Sequence, residues 1–293
     1  MRIELSGGIG NQLFQYSLGK FLELENGIDL TFVAASTGVR ETQHNSKLSD
    51  FQFGKNLEIS KRNKLVGFFS RVDRYLSHHV CKYNVLGEWC FRSYTQIGVG
   101  FDEDILKPQR FRRVRGYFQS YLYPESFKNQ LISEFELVAP SEAFLSYAAE
   151  AEVIRPIIVH LRRGDYAELS TSVGILGVDY YFNGIKALID SSSHKQIWIF
   201  SDDAKASLAL ATQLEDKGLK DIKKGFEITD SETLKLMSLG SGIVIANSTF
   251  SWWSAFLGNY GNNVIAPQEW YKELPDPNNL IPKNWKLIAS SWE

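Results

Sequence analysis

Apolar residues fall along the chain in short runs separated by stretches with helical periodicity. Ile157-Ile158-Val159 opens after Pro156 and is β-branched throughout, which predicts a buried strand. Ile3-Glu4-Leu5, Leu30-Thr31-Phe32-Val33-Ala34, Ile197-Trp198-Ile199-Phe200, Ile243-Val244-Ile245 and Val264-Ile265-Ala266 read the same way, with Phe226-Glu227-Ile228 as a shorter strand. Between them, Leu13, Phe14, Leu18, Phe21 and Leu22 recur near the 3.6-residue period, with Gly27 placed to close that helix. Further helices are expected over 124–140 (Phe127, Leu131 and Phe135 on one side), from Ser141, over 179–189, over 204–214, and after Asp230 through Leu234 and Met237. Residues 110–120 alternate as a strand with one cationic side that runs into Tyr117, Phe118, Tyr121 and Tyr123. Strands separated by helices imply parallel sheets whose strand C-termini share one rim. We divide the chain into domains 1–150 and 151–293.

Polar clusters stand where those strands end. His160-Leu161-Arg162-Arg163-Gly164-Asp165-Tyr166 follows the first run, Ser201-Asp202-Asp203 the second, and Asn247-Ser248-Thr249-Phe250-Ser251-Trp252-Trp253 the third. Two adjacent guanidiniums repel and cannot shed their charge, so an anion completes such a site, and their planar forks match phosphate oxygens. Asn-Ser-Thr before a helix offers hydroxyls and free N–H groups at its positive end. The same residues also suit a plain helix cap over an aromatic core. Asp202 or Asp203 can accept from the N1–H and N2–H edge of guanine, while one of the two also suits a cap. Near the start, Gly7, Gly8 and Gly10 lie between strand and helix, where backbone N–H groups can approach a phosphate or sugar. The dinucleotide fingerprint fails at Leu13 and no phosphate-loop Lys follows. Asn11 is the neutral donor at that helix start.

The 293 residues suffice for two cores. A net charge of −2 supplies no field for a nucleic-acid partner. Two cysteines, Cys81 and Cys90, are too few for a disulfide scaffold or a four-ligand zinc site. Met1-Arg2-Ile3-Glu4-Leu5 lacks a signal-peptide core and no run is long enough to span a membrane, so a cytoplasmic protein is expected. Asp102-Glu103-Asp104 has the spacing of a divalent-metal motif but reads better as a solvated loop. Residues 61–76 interleave Lys61, Arg62, Lys64, Arg71 and Arg74 with apolar residues. A solvated helix with its apolar side on the core explains them, and loose contact with an anionic inner-membrane surface is the other reading.

Taken together, Gly7-Gly8-x-Gly10-Asn11-Gln12, His160-x-Arg162-Arg163-x-Asp165-Tyr166, Ser201-Asp202-Asp203 and Asn247-Ser248-Thr249-Phe250-Ser251-Trp252-Trp253 resemble glycosyltransferase family 11, the α-1,2-fucosyltransferases. The resemblance runs in order from residue 6 to about 260. It implies an α/β, GT-B-like fold of two Rossmann-type domains with a cleft between them, the first on the acceptor side, the second binding GDP-β-L-fucose. It also implies an inverting transfer of L-fucose to a galactoside hydroxyl, with no cofactor or divalent metal. By motif position, Arg162 neutralises the β-phosphate of the departing GDP. His160 and Asp202 or Asp203 contact guanosine; Arg163, Ser248, Thr249 and Phe250 surround the phosphates and the base or ribose. Asn11, with Gly8 and Gly10, approaches the donor from the first domain. Asp165 is the first choice of base, Glu168 the fallback, and a mechanism without a side-chain base the third option. A surface oligosaccharide of the O-antigen kind ending in galactose is the expected acceptor. The alternatives are a fucosyltransferase of another linkage and a non-catalytic GDP-sugar or glycan-binding module.

Overall fold

The structure, a computed structural model, describes residues 1–34, 47–54, 57, 59–60, 93–96, 98–106, 111–164, 171–189 and 196–293. The basic stretch at 61–76, both cysteines, Asp165, Tyr166 and Glu168 lie outside these residues. Two compact units emerge, Met1–Leu131 with Pro277–Leu280, and Ile132–Asp276 with Ile281–Glu293. In the first, β1 (Arg2–Leu5), β2 (Thr31–Ala34), β3 (Ile59–Ser60), β4 (Ser93–Thr95) and β5 (Arg113–Arg115) form a parallel sheet in the order β3-β2-β1-β5-β4. In the second, β6 (Ile157–Leu161), β7 (Ile197–Ser201), β8 (Ile222–Lys224), β9 (Gly242–Val244), β10 (Val264–Pro267) and β11 (Lys286–Ile288) form a parallel sheet in the order β11-β10-β9-β6-β7-β8. Renumbered within that unit, the order is the doubly wound 3-2-1-4-5-6. The expected α/β class is present, as two parallel-sheet units of Rossmann type.

Periodicity explains most of the elements. The helix Ile9–Asn26 buries Leu13, Phe14, Leu18 and Leu22 and ends at Gly27, whose N–H reaches the Glu23 carbonyl. All five residues of β6 are buried, as a strand covered on both faces requires. Ile157, Val159 and Leu161 join one core with Tyr181 and Ile185 of helix Val178–Ile189 and Leu210 and Leu214 of helix Ala204–Asp216. Because successive side chains alternate, His160 takes the opposite face, where its ring meets Phe250 of helix Thr249–Leu257. Trp252, Trp253 and Phe256 of that helix are fully buried, Trp252 stacked on Phe256 at 4.8 Å.

Several expected elements shift. The strand expected at 226–228 lies at Ile222–Lys224, and Gly225 (φ 79°) turns the chain out of the sheet immediately afterwards. The helix expected over 124–140 is two pieces, Leu122–Glu125 and Lys128–Glu134. Among the described residues of the cationic 110–120 stretch, Arg113–Arg115 alone pairs as a strand. Thr229, not Asp230, caps helix Asp230–Leu236, reciprocally with Glu232. The units divide at Leu131/Ile132 rather than near residue 150. Helix Glu142–Ile154 belongs with the second unit because Ser141 N donates to Glu232 Oε1 and the Lys235 ammonium lies over Phe135. Pro277–Leu280 belongs with the first because Asn278 O accepts from Phe101 N and Asn279 O from Tyr121 N.

Candidate active site

The second sheet brings the three polar clusters to one rim. Strand β6 lies between β9 and β7, so the ends of β6, β7 and β9 are neighbours. The chain leaves β6 toward β7 and later returns on its other side at β9, which makes the β6/β9 junction the switch point where open α/β sheets bind ligands. Arg162 follows β6 there and Ser248-Thr249 follow β9.

Asp202, at the end of β7, organises the turn after β6. Its Oδ2 pairs with Arg162 Nη1 at 2.9 Å, and its Oδ1 accepts from Arg163 N at 2.9 Å. A Cβ at position 164 would stand 2.5 Å from Asp202 Oδ2, so Gly164 is there because the carboxylate passes against the backbone. Asp203 is the cap of helix Ala204–Asp216, its Oδ1 accepting from Lys205 N and Ala206 N. Arg163, expected at the diphosphate, forms a two-pronged ion pair with Glu293, Nη1 to Oε2 at 2.8 Å. Glu293 is itself placed by its N–H on Ile175 O. The 173–174 stretch is held in turn by Asn247 Nδ2, which donates to Val173 O and Gly174 O.

His160 is 3% exposed, and burial, aided by the Arg162 charge, pushes its pKa down to about 3. A neutral imidazole therefore stands beside Phe250, with its Nδ1 buried and without a partner among the described residues. Ser248 caps helix Thr249–Leu257, its Oγ accepting from Phe250 N at 3.3 Å. Thr249 and Phe250 are half-buried at that positive helix end. His160, Arg162, Asp202, Asp203, Ser248, Thr249 and Phe250 thus share one region of the second unit.

Asn11, Gly8 and Gly10 belong to the first unit. Gly7 (φ +74°) turns the chain after β1 in a conformation that strains any residue with a Cβ, which would also stand 2.7 Å from Asn11 Nδ2. Gly8 precedes helix Ile9–Asn26, and Gly10 is buried in its first turn. Asn11 Oδ1 accepts from Gln119 Nε2 at 2.9 Å. Asp102 is occupied structurally, its Oδ2 accepting from Tyr94 Oη at 2.5 Å and its Oδ1 from Asp104 N. Among the described residues no three His, Cys, Asp or Glu side chains cluster as a metal site, and no helix is long and apolar enough to cross a membrane. Gly164, Gln119 and Glu293 escape sequence reasoning. Gln119 sits 108 residues from its partner and Glu293 130 from its own, and no local pattern encodes such a pairing.

A model of glycosyl transferase family 11 matches residues 112–289 of the 293. The O-antigen biosynthesis glycosyltransferase WbnK of Escherichia coli is 26% identical, with 98% of each chain covered. An alpha-1,2-colitosyltransferase of Escherichia coli is also 26% identical, with 97% of each covered. Among solved structures, E. coli heptosyltransferase WaaC with ADP aligns with a TM-score of 0.48 at 11% identity, over 99% of this chain and 94% of that one. POFUT1 in complex with GDP aligns with a TM-score of 0.43 at 13% identity, over 87% of this chain and 94% of that one.

Proposed function

Since the chain belongs to glycosyl transferase family 11, we propose that it transfers L-fucose from GDP-β-L-fucose to the 2-hydroxyl of a galactoside, with inversion and without a metal, in O-antigen-like oligosaccharide synthesis. The observation that carries this reading is the β6/β9 switch point, flanked by Arg162 and by the helix start at Ser248-Thr249. A diphosphate seated there meets a guanidinium on one side and helix N–H groups on the other. His160 and Phe250 form a neutral wall for the ribose or base. Both cap bonds of Asp203 go to Oδ1, which leaves its Oδ2 for the guanine edge, whereas Asp202 orients Arg162. Arg163 supports the turn through its ion pair with Glu293. Asn11 is assigned to the donor by its motif.

In the reaction the acceptor oxygen attacks the anomeric carbon while the bond from that carbon to the β-phosphate oxygen breaks. GDP leaves with the electron pair, and the acceptor proton passes to a base, Asp165 first, Glu168 second, or to the departing phosphate itself. Charge builds on the β-phosphate, where Arg162 and the helix end supply positive potential. The test is GDP release from GDP-fucose with a panel of β-galactosides in EDTA, for wild type and Arg162→Ala. Loss of the clamp should lower turnover by at least about 100-fold. Full activity in the variant, or loss of wild-type activity in EDTA, would overturn the reading. The name of the second E. coli relative makes colitose the competing sugar, and running the assay with GDP-fucose and GDP-colitose side by side separates the two.

A further inference from the structure

Four charged side chains meet at the end of β6 as two separate pairs, Arg162 with Asp202 and Arg163 with Glu293. Asp202 Oδ1 also accepts from Arg163 N at 2.9 Å, so the carboxylate that aims Arg162 already lies against the backbone of Arg163. Two neighbouring cations compete for the nearest anion, and neither arginine can shed its charge. Glu293 removes the competition. It neutralises Arg163 with both carboxylate oxygens and leaves Asp202 Oδ2 to Arg162.

A brace of backbone and side-chain bonds holds Glu293 there. Ser290 is fixed to Glu269, its N donating to Oε2 at 3.1 Å and its Oγ to the backbone O at 2.8 Å. Ser291 O then accepts from Gly177 N, Trp292 bridges Leu176 in antiparallel fashion, and Glu293 N donates to Ile175 O at 2.9 Å. Trp292 lies so close on Gly174 that an added Cβ would stand 2.6 Å from its ring. The same 172–177 stretch takes bonds from Glu273 N at Ser172 O and from Asn247 Nδ2 at Val173 O and Gly174 O. Asn247 is 2% exposed and directly precedes the Ser248 cap. A continuous path of contacts therefore runs from the helix start after β9, through 172–177 and 291–293, to the arginine turn after β6. It fixes the two sides of the switch point relative to each other.

We propose that Glu293 is a positioning residue of the active site: by occupying Arg163 it reserves Asp202 for Arg162, and so aims the guanidinium that meets the departing diphosphate. This rests on the donor reading only in taking Arg162 as that group. Glu293→Gln removes the charge and leaves the shape, so Arg163 turns on Asp202 and Arg162 loosens. Turnover should fall about tenfold, the cost of a loosened rather than a missing clamp. GDP affinity should hold or rise, because an anion has left the neighbourhood of an anionic ligand. Adding Arg163→Met to Glu293→Gln removes the competitor and should give a higher kcat than Glu293→Gln alone. A merely structural Glu293 moves none of these in that pattern. Wild-type kcat in Glu293→Gln, a parallel loss of GDP affinity and urea midpoint, or a double variant no faster than the single one overturns the proposal. A second readout needs no donor sugar. In protein labelled with 15N-arginine, the Arg162 Nε–H should exchange faster with water in Glu293→Gln and slow again in the double variant; unchanged exchange in Glu293→Gln also overturns it. A wild type that shows this exchange pattern but turns over no GDP-fucose would count against the donor reading alone.

Discussion

Arg162 and Asp202 are both about a quarter exposed and 2.9 Å apart. At that exposure the ion pair itself contributes only about 0.2–1 kcal/mol, so its value lies in aiming the guanidinium. Two effects oppose each other in Asp202→Asn. Removing the carboxylate takes a competing anion away from the phosphate, while loosening Arg162 misplaces a clamp worth about 3–4 kcal/mol in the transition state. The second is larger. Asp202→Asn should therefore lower kcat about tenfold or more while GDP affinity changes by less than that. A variant faster than wild type would mean that Asp202 restrains the site instead of preparing it. His160 works differently: held neutral beside a cation, it adds no charge to the anion site.

Glu232 ties together two helices whose starts would otherwise leave N–H groups unmet. Its carboxylate accepts from Thr229 N at 2.9 Å in the cap of helix Asp230–Leu236, and from Ser141 N at 2.7 Å before helix Glu142–Ile154. Burial alone would raise its pKa, but the hydrogen bonds from Thr229 and Ser141 outweigh it and hold the group down at about 2. A depressed carboxylate stabilises the fold fully above its ordinary value of 4.5 and loses that contribution as pH falls from there toward 2. Glu232→Gln should cost about 1–3 kcal/mol at neutral pH. The difference from wild type should shrink on acidification, read from urea midpoints across that range. A pH-independent difference would assign the loss to packing. The cap signature Thr-x-x-Glu at 229–232 is visible in the sequence, but the second helix it serves lies 91 residues away.

At the level of the molecule, four residues from late in the chain complete the first unit. Asn279 has φ 55°, and its carbonyl accepts from Tyr121 N and Ser120 Oγ. A β-branched residue there pays about 1–2 kcal/mol of backbone strain that glycine avoids. Asn279→Val should reduce hydrogen-exchange protection at the Tyr121 and Phe101 amides, and Asn279→Gly should leave it close to wild type; equal protection in both variants would remove this role for the strap. The sequence by itself determined the alternation of strand and helix, the parallel sheets and the strand-end position of the polar clusters, because hydrophobic periodicity and caps are local. It also carried the family, since the motifs hold their residue types in order. Only the tertiary structure decided which carboxylate meets which arginine, that Asp203 caps a helix while Asp202 braces Arg162, and that Gln119 meets Asn11. Those choices depend on which strand ends become neighbours and which side chains meet across about a hundred residues of chain, and no local preference specifies either.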